Sequence, residues 1–186
     1  MDRSLSALTL YQVFLVDANR SMLSHRSTLR DVLETLTFIT AMYDSNGLDL
    51  YFSNRPKSFQ CKSSADAVNA FNRVTSYGHD DMLSCVEGII TNYKAQLQEK
   101  HRLRRLFDRS QSSWGPRKLS TYVLTDGSYS EKNDLESVLK DLVTHLRASY
   151  SSPDQIGIQF IRFDDNTVGK AYLQRLDDNL RAETGW

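Results

Sequence analysis

Two apolar runs in this chain end on an aspartate. In FLVDANRSM (14–22) the run stops at Asp17, and Asn19 and Ser21 follow at intervals of two, so oxygens from one loop can point the same way. In VLTDG (123–127) it stops at Asp126, just before a glycine that lets the backbone turn sharply. A third stretch, YGHDDML (77–83), sets Asp80 and Asp81 ahead of a helix. Carboxylates, an amide oxygen and a hydroxyl converging from three loops make a hard-oxygen site suited to Mg²⁺. The same residues also have plainer uses. Asp17 and Asp126 can accept loop amides, and Asp80 or Asp81 can cap the helix that follows. An aspartate closing a buried strand is costly without a partner, so one of these uses is required.

Other chemistry has thinner support. His25, His79, His101 and His145 are scattered, without metal or triad spacing, and neither a G-x-S-x-G turn nor a glycine-rich phosphate loop occurs. Cys61 and Cys85 lack metal-ligand spacing and read as small core thiols in a reducing compartment. EKHRLRRLFDR (99–109) gathers Lys100, Arg102, Arg104, Arg105 and Arg109. At a helix end these cations suit the dipole; they also offer a contact surface for an acidic partner, extended by Arg117 and Lys118. Trp114, in the following loop, is either an exposed anchor or folded back on the domain.

The elements that must hold these residues alternate along the chain. Leu10 and Val13–Val16 form a dense apolar run, as in a strand buried on both faces. Residues 24–43 carry Leu29, Val32, Leu33, Leu36, Ile39 and Tyr43 at helical spacing, and Asn46-Gly47 ends them. LDLYFSN (48–54) reads as a strand and KSFQCK (57–62), after Pro56, as a short edge strand. Ser64 caps a short helix ending near Val74, and a long helix starting near Asp80 or Asp81 carries Leu83, Val86, Ile90, Tyr93 and Leu97 on one face. Polar residues 108–118 form a loop; LSTYVLTDG (119–127) is a strand; 131–149 is the cleanest amphipathic helix; IGIQFIRF (156–163) is a strand; and 168–182 is a last helix. This order predicts one α/β domain over 1–186, core about 10–180: a doubly wound, mostly parallel sheet of about six strands with helices on both faces. In such sheets the ligand crevice lies beyond the carboxyl ends of the strands, where Asp17 and Asp126 fall.

Bulk composition narrows the function. The 186 residues are 40% hydrophobic and 25% charged, ordinary for a globular chain. Lys plus Arg equal Asp plus Glu at 23 each, so neither nucleic acid nor an acidic membrane surface has a global electrostatic reason to bind. No apolar run suits a membrane helix, and MDRSLSALTLYQ makes a poor signal peptide. A cytoplasmic, intracellular setting is expected, and the ending RAETGW soon after the last helix suits a domain excised from a longer protein.

Four ordered segments, FLVDANRSM, GLDLYFSN, STYVLTDGSYSE and QIGIQFIRFDDN, resemble the von Willebrand factor type A (vWA) domain, especially a group common in fungal proteins. The resemblance spans about residues 10–180 and implies a Rossmann-like fold with a metal-ion-dependent adhesion site, where Mg²⁺ or Mn²⁺ often takes its last ligand from a partner's carboxylate. Asp17 matches the first aspartate of the D-x-S-x-S motif and Ser21 its second serine; Asn19 stands at the first serine and Arg20 where glycine is frequent. Asp126 matches the third-loop aspartate. The second loop departs, because Asp80, after His79, replaces the usual threonine. Three carboxylates around a divalent ion leave excess negative charge, which repels a partner's acid. The implied site is therefore a variant one: it holds a metal that takes no partner acid, or Arg20 or His79 neutralises Asp80 in a metal's place.

Three functions follow as expectations. One is a non-enzymatic protein–protein interaction domain using this variant site, its partner protein unidentified. The second is a scaffold with a decayed, metal-free site, binding through Arg104, Arg105 and Trp114. The third is a phosphatase of the haloacid dehalogenase type with Asp17 as nucleophile. That chemistry needs a general acid two residues on, and Asn19 cannot donate and retrieve a proton.

Overall fold

Leu10–Val16 forms β1, the middle strand of a five-stranded sheet ordered β3-β2-β1-β4-β5. The computed structural model describes residues 10–42, 46–75, 81–106, 117–128, 135–148, 155–163 and 167–184. The other strands are β2 (Leu48–Phe52), β3 (Phe59–Cys61), β4 (Lys118–Thr125) and β5 (Ile156–Arg162). Pairing is parallel for β1 with β2, β1 with β4 and β4 with β5, and antiparallel for β2 with β3. The sheet is thus mostly parallel, and it has five strands among the described residues where about six were expected.

The helices are α1 (Arg26–Ala41), α2 (Ser64–Arg73), α3 (Met82–Leu106), α4 (Leu135–Ala148) and α5 (Thr167–Thr184). Alternate residues of β1 feed two separate cores, as strand geometry requires. Phe14 and Val16 pack with Leu29 and Leu33 of α1 and Ala67 and Phe71 of α2. Val13 and Leu15 pack with Val86, Ile90 and Tyr93 of α3, Leu139 and Leu142 of α4 and Leu176 of α5. Helices therefore cover both faces of β1, which explains why Val13 to Val16 are all fully buried.

Several boundaries shift for local reasons. The helix expected from Ser24 begins as a 3-10 turn, Arg20–His25, because Asn19 caps Arg20 N through its side chain. The cap of α2 is Ser63, not Ser64: its hydroxyl accepts Asp66 N at 3.1 Å while Asp66 accepts Lys62 N at 3.1 Å. β4 ends at Thr125, two residues earlier than expected, because Gly127 turns with φ +77. Among the described residues no helix is long and apolar enough to cross a membrane.

Candidate functional site at the carboxyl end of the sheet

β1 and β4 lie side by side in parallel with Val16 opposite Leu124, so Asp17 and Thr125–Asp126 leave the sheet at the same end. Asp17 N donates to Leu124 O at 2.9 Å, carrying the ladder one residue past β1. The Asp17 side chain is fully buried. Its Oδ1 accepts Asn19 N at 2.8 Å and its Oδ2 accepts the Thr125 hydroxyl at 2.7 Å. Thr125 Oγ1 in turn accepts Gly127 N at 2.9 Å. Asp126, also buried, accepts Ser128 N on Oδ1 at 2.8 Å, the local turn expected of an aspartate before glycine.

Asn19 ties the first loop to the third, since its Nδ2 donates to Ser128 O at 3.5 Å. Its Oδ1 accepts Arg20 N at 2.6 Å. Arg20 and Ser21 stand exposed on the rim, and the Ser21 carbonyl accepts the Ser24 hydroxyl at 3.1 Å. The structure thus brings Asp17, Asn19 and the Asp126 loop together, with Ser21 at the exposed edge.

Two further residues, Ser53 and Asp81, complete the floor. Ser53, at the end of β2, accepts Ala18 N on its hydroxyl at 2.8 Å and donates its own N–H to Val16 O at 3.0 Å. Its carbonyl accepts Asp81 N at 3.2 Å, joining the start of α3 to the same end of the sheet. Asp81 Oδ1 accepts Ser84 N at 3.3 Å, the capping use open to it from the sequence. Beside Ser53 opens a cavity of about 480 Å³, lined by Asn54, Arg55, Asp81, Ser84 and Cys85 among others. His79, Asp80 and Trp114 lie outside the described residues, and so do the side chains of Arg104 and Arg105, although the α3 backbone runs through both.

Glycine closes the third loop against α5. A Cβ on Gly169 would sit 2.3 Å from Asp126 O, and one on Gly127 would sit 2.9 Å from Gly169 O. Neither position accepts a side chain, so the backbone after β4 packs directly on the first turn of α5.

Thr125 and Ser53 were not singled out in the sequence, although both hold the aspartate loop. The available signal was position: each is a small hydroxyl residue at the end of a strand paired or bonded to β1. Four oxygens of this cluster accept hydrogen bonds from the protein itself. Both Asp17 oxygens, Asn19 Oδ1 and Asp126 Oδ1 are so engaged. Among the described residues no three His, Cys, Asp or Glu side chains gather as a metal site.

The sequence matches no protein-family model and no curated protein. Among solved structures, it is similar to proximal thread matrix protein 1 from the mussel byssus, with a TM-score of 0.42 and 11% identity. The match covers 96% of this chain, and the chain spans 46% of the length of that protein.

Proposed function

We propose that this chain is a vWA-like, doubly wound domain that binds a partner protein through the loops at the carboxyl end of its sheet, without enzymatic activity. The observation that carries the reading is the paired use of Asp17: Asn19 N on one oxygen and the Thr125 hydroxyl on the other. An aspartate held this way shapes the first and third loops into one rigid surface, with Arg20 and Ser21 at its exposed rim. Two of the segments that resemble vWA domains, FLVDANRSM and STYVLTDGSYSE, supply the loops of that surface.

In this reading the adhesion site is a variant that works through hydrogen bonds. Mg²⁺ demands about six oxygens in near-ideal octahedral array. Here the Asn19 oxygen is turned to cap Arg20 N, and Asp17 and Asp126 accept backbone and hydroxyl donors. That donor set supports a cluster held by internal hydrogen bonds. The phosphatase reading has weaker support still, because a nucleophilic carboxylate must reach phosphorus and Asp17 has no exposed surface.

The test is affinity capture with wild type and with Arg20→Glu, a rim change that leaves the buried cluster intact. A partner retained by wild type and lost by Arg20→Glu supports the reading. A partner that binds both equally moves the contact off this face. Calorimetric titration with Mg²⁺ and Mn²⁺ runs in parallel; strong binding abolished by Asp17→Ala would sink the metal-free site.

A further inference from the structure

α3 turns a stripe of small and polar residues toward the end of β2 and the turn that follows it. Asp81, Ser84, Cys85, Gly88 and Asn92 recur at helical spacing, so they share one flank of the helix. Two bonds hold that flank to β2: Asp81 N donates to Ser53 O at 3.2 Å, and the Cys85 thiol donates to Phe52 O at 3.5 Å. The side chains on the flank are too small to fill the space beyond these bonds, and the cavity of about 480 Å³ beside Ser53 is the result. That volume suits a small molecule.

Gly88 sharpens the point. Glycine inside a helix destabilises it relative to alanine. Here a Cβ would meet nothing within 4 Å, so no packing contact calls for glycine. Its effect is to lower the helix wall where the cavity lies.

Charge decides what fits. Arg55 lines the cavity from the turn and Asp81 from the start of α3, and both are exposed. Among the described residues the two form no ion pair, with each other or with any other group. Asp81 Oδ1 accepts Ser84 N, and Oδ2 has no hydrogen bond among the described residues. The Arg55 guanidinium stands 5.6 Å from the centre of the Phe59 ring, a weak tie on an exposed side chain that a carboxylate can replace. A simple anion drawn to Arg55 meets Asp81, and a simple cation drawn to Asp81 meets Arg55. A neutral sugar leaves both charges unmatched. A small molecule carrying both a carboxylate and an ammonium satisfies each and leaves the filled cavity neutral.

We propose that this cavity binds a free amino acid, its carboxylate held by the Arg55 guanidinium and its ammonium by the Asp81 carboxylate. Tyr51, Ser84 and Asn92 also line the space, so amino acids with polar side chains should bind better than aliphatic ones. The proposal does not rest on the partner surface, because Asp17, Asn19 and Thr125 are not among the residues that line this cavity.

The experiment is ligand-observed NMR on the full chain with the standard L-amino acids, followed by titration of those that bind. Dissociation constants of about 0.1–1 mM are expected for so small a ligand. The N-acetyl derivative, which lacks the ammonium, and the amide derivative, which lacks the carboxylate, should each bind at least about tenfold more weakly. Arg55→Gln and Asp81→Asn should weaken binding as much; asparagine keeps the cap on Ser84 N, so that variant retains the fold. Gly88→Leu should fill the cavity and abolish binding while the melting temperature holds or rises. Failure of every amino acid to bind overturns the proposal. So does an N-acetyl or amide derivative that binds as tightly as its parent, or binding that survives unchanged in Arg55→Gln, Asp81→Asn or Gly88→Leu.

Discussion

The Thr125 hydroxyl donates to Asp17 Oδ2 at 2.7 Å, joining residues 108 apart in sequence. The bond is buried and charge-assisted, and Thr125 also accepts Gly127 N. One hydroxyl thus fixes the first loop and the turn of the third together.

Thr125→Val keeps the shape and removes the hydroxyl. It removes one hydrogen bond to a buried carboxylate and one from a loop amide, so a loss of about 2–4 kcal/mol is expected. Thr125→Ser should recover most of it. Urea denaturation of the three proteins is the check.

Gly169 and Gly88 make an internal contrast. Gly169→Ala drives a Cβ to 2.3 Å from Asp126 O and should cost about 1–3 kcal/mol. Gly88, in the exposed flank of α3, meets nothing within 4 Å, so Gly88→Ala should stabilise by about 1 kcal/mol through helix propensity alone. Thermal melts of the two variants should move in opposite directions.

Thr121 lies in β4 with its hydroxyl buried and without a hydrogen-bond partner among the described residues. The small cavity it lines, with Val86, Ile90 and Phe160, is about 10 Å³ and otherwise apolar, a poor place for water. Thr121→Val should therefore stabilise by about 1 kcal/mol, read by urea midpoint.

Alkaline pH should loosen the fold. Burial, with Asp66 and Asp49 nearby, pushes the Cys61 thiol from 9.0 up to about 11. Burial and a hydrogen bond to Asp49 raise the Tyr11 phenol well above its ordinary value. A group whose folded pKa is raised contributes fully below its unfolded pKa, and that contribution is lost as pH climbs. Stability should hold to about pH 9 and fall between 9 and 11. Cys61→Ala should flatten this slope whatever its effect on baseline stability. Unfolding free energies across that range are the measurement.

The order and type of the elements were legible because they rest on dense, one-sided signals. Leu10 to Val16 reads as a buried strand, and Leu29, Leu33, Val86, Ile90 and Tyr93 fall on the buried helix faces that their spacing implies. Asp17 and Asp126 were legible as strand-end acids. Their hydrogen-bond partners were not. Thr125 and Ser53 act across the sheet, and periodicity along one segment says nothing about which hydroxyl a neighbouring strand supplies. Ser63 in place of Ser64 is a smaller miss of the same kind, since adjacent serines are equal in sequence and only the turn distinguishes them. Gly169 gave no signal because its role depends on the Gly127 backbone 42 positions earlier.

The position of β1 at the middle of the sheet has a consequence during synthesis. The first core draws most of its residues from β1, β2, β3, α1 and α2, all made by Val74, while Leu124 and Phe163 join it later in translation. The other edge of β1 and its other face remain open until β4 and α3 have left the ribosome. The bond from Thr125 to Asp17 accordingly waits for residue 125. The nascent chain passes through a stage in which Val13 and Leu15 are exposed to the same solvent and chaperones as any unfinished strand, and release from that stage coincides with assembly of the loop surface.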